Sequence, residues 1–228
     1  MHSSASKHFI SYFKLSLIIL VFAVFSSAKA GSYDDFFTAI KRDNAGAITA
    51  LVQRGFDPNT IDPQARHALT MALADSALNA AEALLAAPGI DVNFLNAQDE
   101  SPLMYAALNG HLSLAKKLIE KDADVNKTGW TPLHYAATKG HVEIMRLLLE
   151  HYAFVDAESP NGTTPLMMAA QYGNGAAVQL LLEEGAQATQ TNKQGLTALD
   201  FAESGSRPDA IKLLTAPAVK PRQPAGQW

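Results

Sequence analysis

Three histidines (His134, His141, His151) and two glutamates (Glu143, Glu150) fall within GWTPLHYAATKGHVEIMRLLLEH, residues 129 to 151. Imidazole and carboxylate groups hold zinc and exchange protons near neutral pH, so this stretch is where chemistry would be sought first. Its spacing argues against chemistry. A helical zinc pair needs two histidines four residues apart on one face, whereas His134 and His141 lie on either side of Gly140. His151 and Glu150 close an apolar run, where solvated polar groups are ordinary. The chain has no cysteine, which excludes thiol nucleophiles, disulfides and cysteine-ligated zinc or iron–sulfur sites. It has no Gly-x-Ser-x-Gly elbow and no glycine-rich phosphate loop after a strand pattern, and its acids are scattered rather than paired. Ser204-Gly205-Ser206 reads as a connecting loop. No catalytic, cofactor or metal site is assigned, and the chain is expected not to be an enzyme.

The elements that position these residues emerge when the chain is compared with itself. Ala39, Ala72, Ala106, Ala136, Ala169 and Ala202 share one local context, at spacings of 33, 34, 30, 33 and 33. Twelve residues after each stands a leucine: Leu51, Leu84, Leu118, Leu148, Leu181 and Leu214. Each unit divides into two short helical segments. Ser101-Pro102, Thr131-Pro132 and Thr164-Pro165 open the first, a hydroxyl to cap free N–H groups followed by a proline that loses no hydrogen bond at N1. Gly110, Gly140 and Gly173 end it, and each is expected in a left-handed turn. The second segment carries a stripe such as Ile144, Met145, Leu148 and Leu149 at helical period. Polar stretches such as DADVNKTG and VDAESPNG follow, suited to a hairpin-like turn. Only Lys127 and Thr128 separate Asn126 from Gly129, against five residues between Asp156 and Gly162. The spacing of 30 therefore predicts a hairpin that has lost its tip.

The segment GWTPLHYAATKGHVEIMRLLLE resembles a nearly complete ankyrin repeat, and the resemblance extends over residues 33 to 216. It implies an all-α, ankyrin-repeat solenoid of about six helix-turn-helix units with hairpin-like connecting loops. The units would cover about 33–64, 65–98, 99–128, 129–161, 162–194 and 195–216, within a domain of residues 31–216. The first unit lacks Thr-Pro, and the last has Ala198 for the proline and Asp200 for the histidine. Both read as end caps, because terminal units face water on one side. Residues 217–228, PAVKPRQPAGQW, carry three prolines and little apolar content, and are expected to be a disordered tail.

The repeat also decides the histidines. The slot of His134 holds Phe37, Thr70, Met104, Met167 and Asp200 elsewhere, so no chemical site recurs there. The resemblance implies that His134 braces its turn by hydrogen bonding to backbone. His141 has His111 as its counterpart one unit earlier, with Asn174 and Arg207 later. Equivalent positions in stacked helical units are about 8–10 Å apart, too far for two nitrogens that must each lie about 2 Å from one zinc.

The first thirty residues follow a different logic. Lys7 and Lys14 precede an apolar run from Leu15 to Phe25, and small residues lead to Ala28-Lys29-Ala30. This is the layout of a secretory signal peptide, with cleavage expected between Ala30 and Gly31 and no membrane association afterwards. Removing that segment leaves fifteen basic residues against twenty-two acids, a formal charge of −7, which argues against a nucleic-acid partner. The resemblance to short exported ankyrin proteins of Gram-negative bacteria implies a periplasmic or secreted, monomeric module that binds a protein on its concave face, some such proteins protecting against oxidative stress. An immunity protein against a periplasm-acting hydrolase is the alternative, and a membrane-anchored adaptor, with the signal retained, is a third.

In this family contacts come from hairpin tips and from the exposed side of each first helix. By register those positions are Leu108 and Asn109; Lys127, Thr128, Trp130, Thr138 and Lys139; and Asn161, Thr163, Gln171 and Tyr172. Trp130 and Tyr172 lead, because amphipathic aromatics dominate interface energies once desolvated. The row Met71, Tyr105, Tyr135, Met168 and Phe201 directly precedes the repeated alanines and is expected to pack between helices instead.

Overall fold

The computed structural model describes residues 31–217. The expected signal peptide and all of the expected tail but Pro217 lie outside the described residues. Within them the chain forms twelve helices: α1 (31–41), α2 (Ala45–Gln53), α3 (Ala68–Ala74), α4 (Leu78–Leu85), α5 (Pro102–Leu108), α6 (Leu112–Glu120), α7 (Pro132–Lys139), α8 (Val142–Glu150), α9 (Pro165–Tyr172), α10 (Gly175–Glu183), α11 (Ala198–Ser204) and α12 (Pro208–Thr215). No strand occurs among the described residues, where pairing is limited to an isolated bridge between Ile61 and His67. Helices this short are marginal alone, so packing between units must hold them.

The repeated residues supply that packing. The six alanines are at most 4% exposed, and their small side chains let successive first helices approach closely. From α5 to α11 these helices pack extensively on one another, whereas α6, α8 and α10 touch their neighbours more sparingly. The stack therefore curves with the first helices on its inner side. Leu51, Leu84, Leu118, Leu148 and Leu181 are buried on the second helices, and Leu214, in the last unit, is half-buried.

In the last four units the slot three residues into the first helix, which varies in chemistry, has one structural task. It reaches back to the N–H of the capping residue: Ser101 N to Met104 Sδ at 3.1 Å, Thr131 N to His134 Nδ1 at 3.2 Å, Thr164 N to Met167 Sδ at 3.4 Å and Thr197 N to Asp200 Oδ2 at 2.7 Å. A sulfur, an imidazole nitrogen and a carboxylate can each accept there.

The glycines that end the first helices are not equivalent. Gly110 and Gly140 have φ of 76° and 67° and occupy the left-handed region. Gly173 does not: its φ is −76°. The expectation of a left-handed turn is corrected at this position, where space is the constraint. A Cβ at Gly173 would meet the Ala137 carbonyl oxygen at 2.5 Å and the Ala169 carbonyl oxygen at 2.8 Å.

Four of the connecting turns close as hairpins, with an N–H bonded to the carbonyl four residues on: Asp62 to Arg66 at 3.0 Å, Asn96 to Glu100 at 3.1 Å, Ser159 to Thr163 at 3.0 Å and Asn192 to Leu196 at 3.0 Å. Residues 122–130 lack this bond, and their N–H groups from Asp124 to Trp130 make no backbone–backbone hydrogen bond. The three-residue deletion has removed the tip. Side chains bridge the gap instead, with Lys127 paired to Asp99 of the preceding hairpin and Asn126 bonded to both Tyr152 O and Phe154 N. Hydrogen exchange should thus find the 122–130 backbone less protected than 155–163, and equal protection would contradict this account.

Candidate functional site

Of the histidines that could have suggested chemistry, His134, His141 and His111 are engaged in the scaffold, and His151 stands exposed where α8 ends. His134 is fully buried. Its Nδ1 accepts from the Thr131 N–H, and its Nε2 lies 2.9 Å from the Thr163 carbonyl of the next hairpin. That pattern fixes the neutral tautomer with the proton on Nε2, and burial pushes the imidazole down to about 4. His141 Nε2 lies 3.1 Å from the Leu108 carbonyl. Asn174 donates to the Gly140 carbonyl at 3.1 Å, and Arg207 donates to the Gly173 carbonyl. This slot thus covers the last carbonyls of the first helix one unit earlier. His111 Nε2 instead meets Ser76 Oγ at 3.1 Å. Among the described residues no group of three His, Cys, Asp or Glu is placed to hold a metal ion.

The inner face is built from the exposed sides of the first helices and the returning arms of the hairpins. Tyr172, 55% exposed, is its most open large apolar side chain among the expected contact positions. Lys139, Thr128 and Asn161 are also exposed, and Gln171 is half-buried with its amide 3.4 Å from Ser204 Oγ. Thr163 is corrected: it is 2% exposed, its N–H bonded to Ser159 Oγ and its carbonyl against His134. The hairpin folds this residue inward over the N-cap of α9, so it cannot meet a partner. The others are half-buried and partly committed. Asn109 donates to the Leu73 carbonyl at 3.0 Å, Thr138 Oγ1 to the His134 carbonyl at 2.7 Å, and the Leu108 carbonyl receives His141. Lys127 is held by Asp99. Trp130 packs edge-on against His134 with ring centroids 5.1 Å apart, so one part of the indole covers the histidine while the rest stays at the surface.

Two features of this face lay outside the expected positions. Glu100 accepts from Tyr105 at 2.5 Å and from Tyr135 at 2.6 Å, with Asn96 Nδ2 at 2.9 Å. Burial would raise this carboxyl, but the three donors outweigh it and hold it below the usual range. Burial and the adjacent carboxylate push Tyr105 up to about 12, and Tyr135 is raised in the same way. The phenols therefore stay neutral donors, and one carboxylate ties the third unit to the fourth. Met71 is buried while Tyr105, Tyr135, Met168 and Phe201 are partly so, as expected for side chains between helices. Beside this cluster lies a recess of about 180 Å³ between two successive hairpins, walled by Arg66, Met71, Asp75, Asn96, Gln98 and Tyr105. Repetition alone could not reveal it, because it depends on how far two neighbouring hairpins diverge.

Comparison with known proteins agrees with this geometry. No curated protein matches the chain. The profile of the family described as Ankyrin repeats (3 copies) matches residues 88–159 and 153–224, more than half of the sequence. The paired helices, the buried alanine and leucine ladders and the hairpin arms are accounted for together, and the chain belongs to the ankyrin-repeat family.

Proposed function

We propose that this chain is a non-enzymatic protein-binding module, exported to the bacterial periplasm, that holds a protein partner on its concave face. The observation that carries the reading is the inner surface itself. The scaffold engages His134 and His141, yet leaves Tyr172, the outer part of Trp130 and a recess open along one side. Such a curved surface with scattered aromatics suits a folded partner rather than a small substrate. Of the roles the resemblance suggests, protection against oxidative stress leads.

Trp130→Ala combined with Tyr172→Ala should weaken partner recovery from periplasmic extract by more than about 1 kcal/mol per residue while the circular dichroism spectrum stays native. Unchanged recovery with a native spectrum would remove this face from consideration. Export rests on the tripartite N-terminus. Intact mass of the periplasmic form should place its first residue at Gly31, and a form that retains Met1 to Ala30 would overturn that part of the reading.

A further inference from the structure

The loop after each second helix is held in register by one repeated contact. A side-chain amide or carboxylate in one unit binds the corresponding loop in the next: Asn59 accepts from Asp91 N at 2.8 Å, Asn93 from Asp124 N at 2.8 Å, Asn126 from Phe154 N at 2.9 Å and Asp156 from Gln187 N at 3.1 Å. These bonds align the loops residue by residue. The slot of Tyr152 holds Gly55, Gly89, Asp122 and Gly185, all at positive φ. The slot of Phe154 holds Asp57, Asp91, Asp124 and Gln187. In the fourth unit alone, two polar or glycine positions are aromatic.

Nothing in the fold calls for these rings. Tyr152 has φ of 64°, a left-handed conformation that glycine or aspartate adopts more readily. Tyr152 is 82% exposed and Phe154 67% exposed, the two most open large apolar side chains among the described residues. Acids outnumber bases around them. Asp122 and Asp124 occupy the same slots one unit earlier, about 8–10 Å away. Glu120, Glu150 and Glu183 are the last residues of α6, α8 and α10, where the helix carbonyls add to the negative potential instead of offsetting it. None of these five acids takes part in an ion pair among the described residues, and within residues 120–124, 150–156 and 183–187 Lys121 is the one lysine or arginine, with the imidazole of His151 beside Tyr152.

We propose that Tyr152 and Phe154 form a second docking surface, at the C-terminal ends of the second helices, for a polypeptide carrying arginine or lysine side chains. Guanidinium or ammonium groups would lie over the two rings while the surrounding carboxylates neutralise them. This surface is separate from the concave face and does not depend on what that face binds.

The test uses a fluorescein-labelled oligoarginine peptide, with oligoglutamate as control, in anisotropy titrations at physiological ionic strength. Tyr152→Gly with Phe154→Asp places at each slot the residue its own neighbours use, so the melting temperature should hold or rise. Phe154→Asp also adds an acid, so electrostatics alone would tighten binding. Loss of at least about tenfold in oligoarginine affinity, with Trp130→Ala/Tyr172→Ala binding like wild type, is the expected result. Equal binding by the aromatic-deleted variant, no binding by wild type, or equal binding of oligoglutamate overturns the proposal. So does sedimentation showing a wild-type oligomer that the variant dissolves, because the surface would then be covered by a second copy of this chain.

Discussion

Leu148→Ala should lower the stability of this protein by about 2–5 kcal/mol, the range found when a fully enclosed leucine is truncated in a rigid surrounding. Leu148 is fully buried in a central unit, where α8 packs on α7 and has α6 and α10 on either side. A cavity there is bounded by helices whose positions are fixed from both directions, so little collapse can relieve it. The same truncation at Leu214 should cost markedly less, because that side chain is only half-buried on the last helix pair and has no following unit to enclose it. Urea melts of the two variants measure this contrast. A loss under about 0.5 kcal/mol for Leu148→Ala would contradict the proposed register.

The contrast between the two leucines also marks how far the sequence could be read. Periodicity identified which residues repeat, and the alanine and leucine ladders are buried as the spacing requires, apart from half-buried Leu214 at the end of the stack. The shortened turn was equally legible, since deleting three residues leaves too little chain to close the hairpin that its neighbours form. What repetition concealed were differences between residues in like positions. Gly173 stands where Gly110 and Gly140 stand, yet it is needed for its missing Cβ against the Ala137 carbonyl rather than for its φ. Thr163 sits in a polar hairpin next to exposed Asn161, but the returning arm turns it into the interior. Both outcomes depend on contacts with another unit. The inter-unit bonds of Asn59, Asn93 and Asn126 were present as a recurring asparagine, and local turn chemistry was a sufficient reason for that residue until the stack gave it a second one. Tyr152 and Phe154 could be found only by aligning the loops, because aromatics in a polar stretch are not unusual on their own.

Acidification should unfold this protein over a window set largely by His134, and His134→Met should flatten the response. In the folded state burial holds the imidazole near a pKa of about 4, against about 6.5 in an unfolded chain. The folded value is depressed, so the unfolded state takes up the proton first as pH falls. The stabilisation linked to the neutral ring is complete above about pH 6.5 and is lost on descent towards pH 4. The loss relative to neutral pH amounts to about 2 kcal/mol at pH 5 and about 3 kcal/mol at pH 4. The geometry shows why: a second proton would have to go on Nδ1, which would then give up the bond it accepts from the Thr131 N–H, and the charge would sit in a fully buried site. His67 and His111 are also depressed by burial and add loss of the same sign, while Glu100 and Asp62, held low by their donors, contribute only as they protonate at lower pH. Methionine is the informative replacement because Met104 and Met167 already accept the capping N–H at this slot. His134→Met gives up the bond to the Thr163 carbonyl, at a cost of about 1–2 kcal/mol at neutral pH. It removes the titrating group in exchange. Unfolding free energies from urea melts between pH 7 and pH 4 should therefore fall steeply for wild type and by about 3 kcal/mol less for the variant. Parallel pH profiles for the two proteins would mean that His134 is not the group through which acid acts.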